Sequence, residues 1–331
     1  MNPVISALGG FYSLIMMNPP LPNSSQTWLG VLCGAGAGAL WGLVFLAPEL
    51  VREFGPVHLT LGRYLFFGII AAGLLAKRLR YVTSRLTARE WKTLCGLALI
   101  GNILYYALLS AAVQLGGVAT TSLVIGFLPV VVTIIGSRER QAIPLEKLTV
   151  SLLLCVGGAL CVGRQAVWTP GTEAQNSVVG LLCAVGALIS WTWFAVTNSR
   201  WLERIDGLTP TDWNLLSGVV SGGLALLGLP VAAFFDSAGH PASDWIKLVA
   251  VSTGIAYFAS IVGNALWNKM SRLLPLTLVG QMILFETLFA LLYGFAWERR
   301  GPTELETIAF VLISLSVISC LAAHQPKAQE F

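Results

Sequence analysis

Runs of about twenty apolar residues, broken by short polar connections, constrain this chain more than any other feature. A bilayer core about 30 Å thick is spanned by a helix of about 20 residues. Lipid offers no hydrogen bonds, so a spanning segment must satisfy its own backbone, and only helices and closed barrels do so. Barrel strands need only about 10 residues, so runs twice that length read as helices. Ten segments qualify: 28–47, 58–76, 92–114, 118–136, 146–163, 178–197, 211–235, 245–267, 276–297 and 305–323. Composition agrees. The chain is 56% hydrophobic and 11% charged, whereas a soluble domain carries about 25% charged residues. The expectation is an all-α integral membrane protein with ten transmembrane helices.

The basic residues set an orientation, because cytoplasmic connections carry an excess of Lys and Arg. With the N-terminus in the cytoplasm, the even connections and the C-terminal tail hold fourteen, among them Lys77, Arg78, Arg80, Arg85, Arg89 and Lys92. The odd connections hold five: Arg52, Arg164, Lys247, Arg299 and Arg300. Both termini are therefore expected in the cytoplasm. The formal charge of +4 is spread over short loops, which argues against nucleic-acid binding. The six cysteines all fall in apolar segments and read as packing residues rather than a disulfide framework. His58, His240 and His324 are far apart in sequence, so no metal site is expected. Val4–Met17 is apolar, too short to span, and unlike a signal peptide in having no basic residue before it. Residues 1–27 are expected to form a mobile or interfacial tail, with Met16 and Met17 as alternative starts.

The spans repeat. Gly30-Val31-Leu32-Cys33 matches Gly180-Leu181-Leu182-Cys183 at an offset of 150, and Trp41 then falls on Trp191. Ile100-Gly101-Asn102 matches Val262-Gly263-Asn264 in the third and eighth spans. Pro144-Leu145-Glu146 matches Pro302-Thr303-Glu304 near the fourth and ninth. The three matches keep the same order. They divide the chain into a tail (1–27), a first five-helix repeat (28–163), a periplasmic linker (164–177), a second five-helix repeat (178–323) and a cytoplasmic tail (324–331). Five spans are odd in number, so the second repeat enters the membrane from the opposite side. Two inverted repeats that exchange conformations are a common build of secondary transporters. Gly30, Gly34, Gly38 and Gly42 recur every four residues on one face of the first span and are expected to admit a neighbouring helix closely.

Several stretches resemble the drug/metabolite transporter superfamily, EamA type. They are LWGLVFLAPEL (Leu40–Leu50), GRYLFFG (Gly62–Gly68), GNILYYALLSAAVQLGG (Gly101–Gly117), IGFLPVVV (Ile125–Val132), SWTWFAVTNSRWL (Ser190–Leu202), WNKMSRLLP (Trp267–Pro275) and FETLFALLYGF (Phe285–Phe295). The resemblance spans about residues 28–323 and is strongest to a YtfF-like branch of bacterial inner-membrane proteins. It implies ten spans in two five-span repeats, cytoplasmic termini, and export of small metabolites such as amino acids. Members often carry Leu-Glu-Pro at the ninth span. Here Phe285-Glu286-Thr287 keeps the glutamate without the proline, while the fourth span has a proline, Pro129, without a glutamate.

Glu286 and Arg63 are the charged residues well inside apolar spans, where a charge is expensive and marks function or a partner. Three readings of Glu286 are open: an ion pair with Arg63, a proton-coupling site, and a structural group bonded where its helix is irregular. Arg63 has two: a side chain that snorkels to the periplasmic surface, and a clamp for a substrate carboxylate. The candidate cavity residues are Trp41, Asn102, Tyr105, Tyr106, Trp191, Trp193, Asn264, Trp267 and Gln281, an aromatic set with a few amides that suits a small amphipathic solute. Their competing role is interhelical hydrogen bonding.

No Gly-rich phosphate loop, His-Glu-x-x-His pair or nucleophile beside a base is present in the sequence. The expected activity is secondary transport of small metabolites, outward, without enzyme activity, cofactor or metal. The expected partners are the small-molecule substrate, protons as candidate coupling ion, and membrane lipids; a monomer suffices, with a homodimer as the other arrangement. A lipid-carrier flippase is the alternative, and a membrane-embedded lipid-modifying enzyme a weaker one.

Overall fold

The computed structural model describes residues 24–136, 148–167, 173–202, 208–235, 239–274 and 282–323. Every regular element among them is helical. The chain runs through α1 (Ser24–Leu50), α2 (Pro56–Leu75), the short α3 (Leu79–Thr83) and α4 (Ala88–Leu97). A π-helical stretch, Ala98–Leu104, joins α4 to α5 (Tyr105–Ile125). Then come α6 (Leu128–Gly136), α7 (Thr149–Val167), α8 (Glu173–Leu202), α9 (Pro210–Phe235) and α10 (Ala242–Tyr257). A second π-helical stretch, Phe258–Gly263, leads into α11 (Asn264–Leu273), followed by α12 (Leu284–Glu298) and α13 (Glu304–Ala323).

Six of the described helical runs are long and apolar enough to cross a membrane: Ser25–Leu50, Pro56–Leu75, Ala88–Ile125, Gln175–Trp201, Pro210–Phe234 and Ala242–Leu273. Thr149–Arg164 is apolar but shorter. The expected boundary between the third and fourth spans falls inside α5, at Gly117, whose φ of 83° and ψ of 162° interrupt the helix. Only glycine takes that backbone without strain, so the long run Ala88–Ile125 is kinked at Gly117. The fourth expected span is further broken by a turn at Gly126-Phe127, after which Pro129 occupies the first turn of α6, where its missing N–H costs nothing. Helix α1 starts at Ser24, four residues before the expected edge of the tail. Residues 1–23, the centre of the linker (168–172), Gln281 and the tail 324–331 lie outside the described residues.

Three helices start on a threonine followed three residues later by an acid. Thr87 and Glu90 open α4, Thr209 and Asp212 open α9, and Thr303 and Glu306 open α13. Each pair bonds reciprocally across the first turn, which satisfies N–H groups that have no partner inside the helix.

Helices that are apolar all round must bury their faces on one another or on lipid. Here α1 packs on α11 and α12, α5 on α8, α2 on α9 and α10, and α7 on α13. The closest approaches use glycine. A β-carbon on Gly68 would fall 2.6 Å from the Gly222 Cα, and one on Gly180 would fall 2.6 Å from the Gly116 nitrogen. The glycine face of α1 lies along α11 and α12: Gly30 meets Leu274, Gly34 meets Met270 and Met282, Gly38 meets Phe285, and Gly42 meets Phe289 and Ala290.

Candidate functional site

Helix α12 begins midway through the expected ninth span, at Leu284, after a turn at Ile283. Glu286 is therefore in its first turn. The first N–H groups of a helix have no internal acceptor and carry the positive end of its dipole, so a carboxylate is favoured there. The side chain is half-buried, and among the described residues nothing hydrogen-bonds its carboxylate. Arg63 is near enough for its charge to act on it, and the Glu286 carboxylate in turn acts on Tyr105. The α1 glycines fix its position, because the Gly38 Cα faces the Phe285–Glu286 peptide without a side chain between.

Arg63, from α2, is 8% exposed and does not snorkel to the surface. Its guanidinium carbon lies 4.2 Å from the ring centroid of Tyr106 and 5.2 Å from that of Tyr64. Among the described residues Nε and Nη1 have no hydrogen-bond partner. Among the described residues no ion pair joins Arg63 to Glu286, although Arg63 is near enough for its charge to act on the carboxyl.

Tyr64, Tyr105 and Tyr106 act on Arg63, and further ring pairs join these helices. Trp41 and Trp267 lie 5.1 Å apart, Tyr64 and Tyr106 6.2 Å, and Tyr105 and Trp191 6.2 Å. The Tyr106 hydroxyl donates to the Val44 carbonyl at 3.3 Å. Trp193 is elsewhere. It is 41% exposed on the outside of α8, because two residues along a helix turn the side chain about 200° and Trp191 is the one that faces inward. The amides work between or along helices. Asn102 donates to the hydroxyls of Ser221 (2.8 Å) and Ser217 (3.4 Å) on α9, and Asn264 donates to the Ser260 carbonyl at 2.8 Å. Gln281 lies outside the described residues.

The two π-helical stretches fall on the matched motifs Ile100-Gly101-Asn102 and Val262-Gly263-Asn264. A π turn displaces carbonyls from the α-helical ladder, and side chains from other helices take them up. Ser190 on α8 donates to the Ile100 carbonyl at 2.6 Å. Trp41 on α1 donates through Nε1 to the Ala259 carbonyl at 3.0 Å. Each motif glycine also admits an aromatic: Gly101 faces Phe194 of α8, and Gly263 faces Trp41 of α1.

Toward one face the connection after α1 is tied to two other segments, α5 and α10. Arg52 donates to the Gln114 carbonyl at 2.6 Å, the Gln114 amide donates to the carbonyls of Pro48 (3.3 Å) and Phe54 (3.0 Å), and Lys247 pairs with Glu53 at 3.0 Å. A hydrogen bond at its own backbone and the Lys247 ammonium hold the Glu53 carboxyl below its ordinary value. One large apolar cluster, including Val51, Phe54, Leu59, Val113, Ala232 and Leu248, runs beneath these contacts. Toward the opposite face the core divides. One cluster joins Leu75, Val82, Leu94, Leu97, Trp213 and Leu216, with Arg78 paired to Asp212 at 3.0 Å beside it. A separate one joins Cys33, Met270, Leu274 and Met282.

Some of this has no signal in the sequence. His58 and His240, 182 positions apart, both flank Phe54, at 5.6 and 4.2 Å between ring centroids, with Trp245 at 4.8 Å. A groove of about 290 Å³ between α12 and α13, bordered by Met282, Phe285, Leu288, Phe310 and Ser314, opens on the side of the bundle.

The EamA-like transporter family matches residues 28–164. The chain is 31% identical over 314 residues to inner membrane protein YtfF of Escherichia coli (strain K12), covering 90% of this chain and 96% of that protein. It is 26% identical over 287 residues to the uncharacterized transporter YdeK of Bacillus subtilis (strain 168), covering 84% and 90%. A protein crystal structure matches with a TM-score of 0.55 at 20% identity, covering 88% of this chain and 95% of that one, which supports the fold alone.

Proposed function

The chain belongs to the EamA-like transporter family, and from that membership we propose that it exports small metabolites, amino acids or related compounds, by alternating access between two inverted five-helix repeats. Its multi-pass character and its similarity to an inner-membrane protein support an inner-membrane location, and its relatives point to a transporter rather than an enzyme. The repeats are residues 28–163 and 178–323, ten spans in all, with the termini in the cytoplasm.

Pairings between helices support the inverted repeat. The first span packs on the eighth (α1 on α11) as the sixth packs on the third (α8 on α5). The second packs on the seventh and the fifth on the tenth, each such pair being its own counterpart. The π turns, their glycines and their side-chain caps recur in matched positions. Broken helices near mid-membrane are also characteristic of such transporters, and α6 and α12 both follow a turn inside an expected span.

The observation that carries the proposal is the asymmetry of the core. One cluster beneath the connection after α1 draws on both halves of the chain, whereas toward the other face the cluster of α2, α4 and α9 is separate from that of α1 and α11; a further cluster joins α5, α7, α8, α12 and α13. This is the form expected of a transporter closed to the periplasm and parted toward the cytoplasm. Transport then requires the Glu53–Lys247 and Arg52–Gln114 contacts to open while the two cytoplasmic clusters meet. The test uses spin-label pairs at Val57 with Ser243 and at Tyr81 with Lys269, after replacement of the native cysteines. A transported solute should lengthen the first distance and shorten the second. Distances that stay fixed or lengthen together would refute alternating access.

The lateral groove between α12 and α13 favours a second reading, a lipid-carrier flippase, whose substrate would enter from the bilayer. Scrambling of a labelled polyprenyl phosphate in vesicles would select it.

A further inference from the structure

Arg63 carries a charge that the described residues do not satisfy. A buried ion costs several kcal/mol in a real protein. Stacking on two tyrosine rings returns only part of that cost in a desolvated site, and among the described residues two of the three guanidinium nitrogens still have no acceptor. The groups that face it are Tyr64 from its own helix, Tyr105 and Tyr106 from α5, and Glu286 from α12. None of the tyrosines is an anion at neutral pH, and Glu286 makes no ion pair with it.

We propose that Arg63 anchors the carboxylate of the transported solute, with the Tyr64 and Tyr106 rings as the shelf that holds the guanidinium in place. This rests on the transport reading above. One negative charge fits better than two: Arg63 is the basic residue well inside the expected spans, Lys92, Lys147 and Lys247 lying at span edges, no second cation acts on Arg63 or Glu286 among the described residues, and Glu286 opposes further negative charge. A phosphate monoester or dicarboxylate is therefore disfavoured, and the aromatic walls select an apolar body. The ligand class is a small monocarboxylate with an apolar or aromatic side group. Arg63 contributes the specific contact because removing an acceptor from a buried donor leaves the full desolvation penalty.

The test compares wild type, Arg63→Lys and Arg63→Gln, purified in detergent. The probes are L-leucine, L-phenylalanine and their 2-oxo acids, each amino acid set against its carboxamide. At least one carboxylate should raise the wild-type unfolding temperature and its carboxamide should not. Arg63→Lys should weaken that binding tenfold or more, since an ammonium does not reproduce the guanidinium's donors, and Arg63→Gln should remove it. Without ligand, Arg63→Gln should unfold at or above the wild-type temperature, because an unpaired buried charge has been deleted. The proposal is overturned if no carboxylate shifts the wild type, if carboxamides serve equally, if Arg63→Lys binds unchanged, or if unliganded Arg63→Gln is markedly less stable. Liposomes separate the two readings. Transport of neutral or cationic solutes alone would keep the transporter and discard the carboxylate; carboxylate binding at Arg63 without any flux would do the reverse.

Discussion

Adding one methyl group at Gly38 should move Glu286. A β-carbon there would lie 2.6 Å from the Phe285 Cβ, 2.9 Å from the Phe285 carbonyl carbon and 3.0 Å from the Glu286 nitrogen. Carbon atoms prefer about 3.5–4.0 Å, and two of these three neighbours are backbone, so α1 and α12 must separate by about 1 Å. Overpacking of this kind costs about 1–3 kcal/mol. Replacing glycine by alanine within a helix gains about 0.5–1 kcal/mol in return, so Gly38→Ala should be destabilising by about 1–2 kcal/mol net. Gly36, on the same helix, is the control. Its added methyl would meet the flexible end of Leu266 at 3.2 Å, and Gly36→Ala should be close to neutral. Unfolding temperatures of the two variants, with transport per folded molecule in liposomes, measure both consequences. The variant at 38 should be the less stable and should transport more slowly even where folded. Equal stability and equal transport in the two variants would refute the claim that the glycine face sets the position of Glu286.

Three further outcomes are expected. Glu286→Gln should fold but lose the pH response of transport if the carboxyl carries the proton, and flux at a series of pH values reads this directly; full, pH-responsive flux would leave Glu286 structural. Lys247→Met should release Glu53 and favour opening at that face, lengthening the Val57–Ser243 distance. The lowered Glu53 carboxyl makes the same latch persist through the ordinary carboxylate range and fail only as pH falls below it, since protonation removes the charge that Lys247 pairs with; a latch indifferent to strong acid would contradict this. Gly117→Ala should lower stability by about 1–2 kcal/mol, because its φ of 83° is unfavourable for a residue with a β-carbon, with thermal unfolding as the measure.

The sequence made the spans legible because each consists of apolar runs bounded by residues that break helices. The gap expected between residues 114 and 118 holds Gly117, whose positive φ interrupts the continuous helical run there. The four-residue glycine spacing on α1 put these glycines on one face, because spacing alone sets a helix face, and that face lies along α11 and α12. Which neighbour it meets required the fold. Trp191 and Trp193 were indistinguishable in sequence, since a helix apolar on all sides offers no polar face to orient it. Arg63 lies seven residues from the start of α2, about 10 Å at 1.5 Å per residue, a depth compatible with snorkelling; its burial depends on Tyr106, which arrives from another helix. The Asn102 contact with Ser217 and Ser221 and the meeting of His58 with His240 are likewise tertiary events. The π turns were invisible as such, although the repeated Gly-Asn pair marked both positions.

The most direct measurement of the central claim is solute release from liposomes that contain the purified protein and a mixed pool of amino acids and related metabolites, with and without an imposed pH gradient. The account predicts release of a specific small solute that the protein alone supports, and acceleration by the gradient if Glu286 couples protons. Vesicles with folded protein that release none of the pool faster than protein-free vesicles would contradict export of small metabolites.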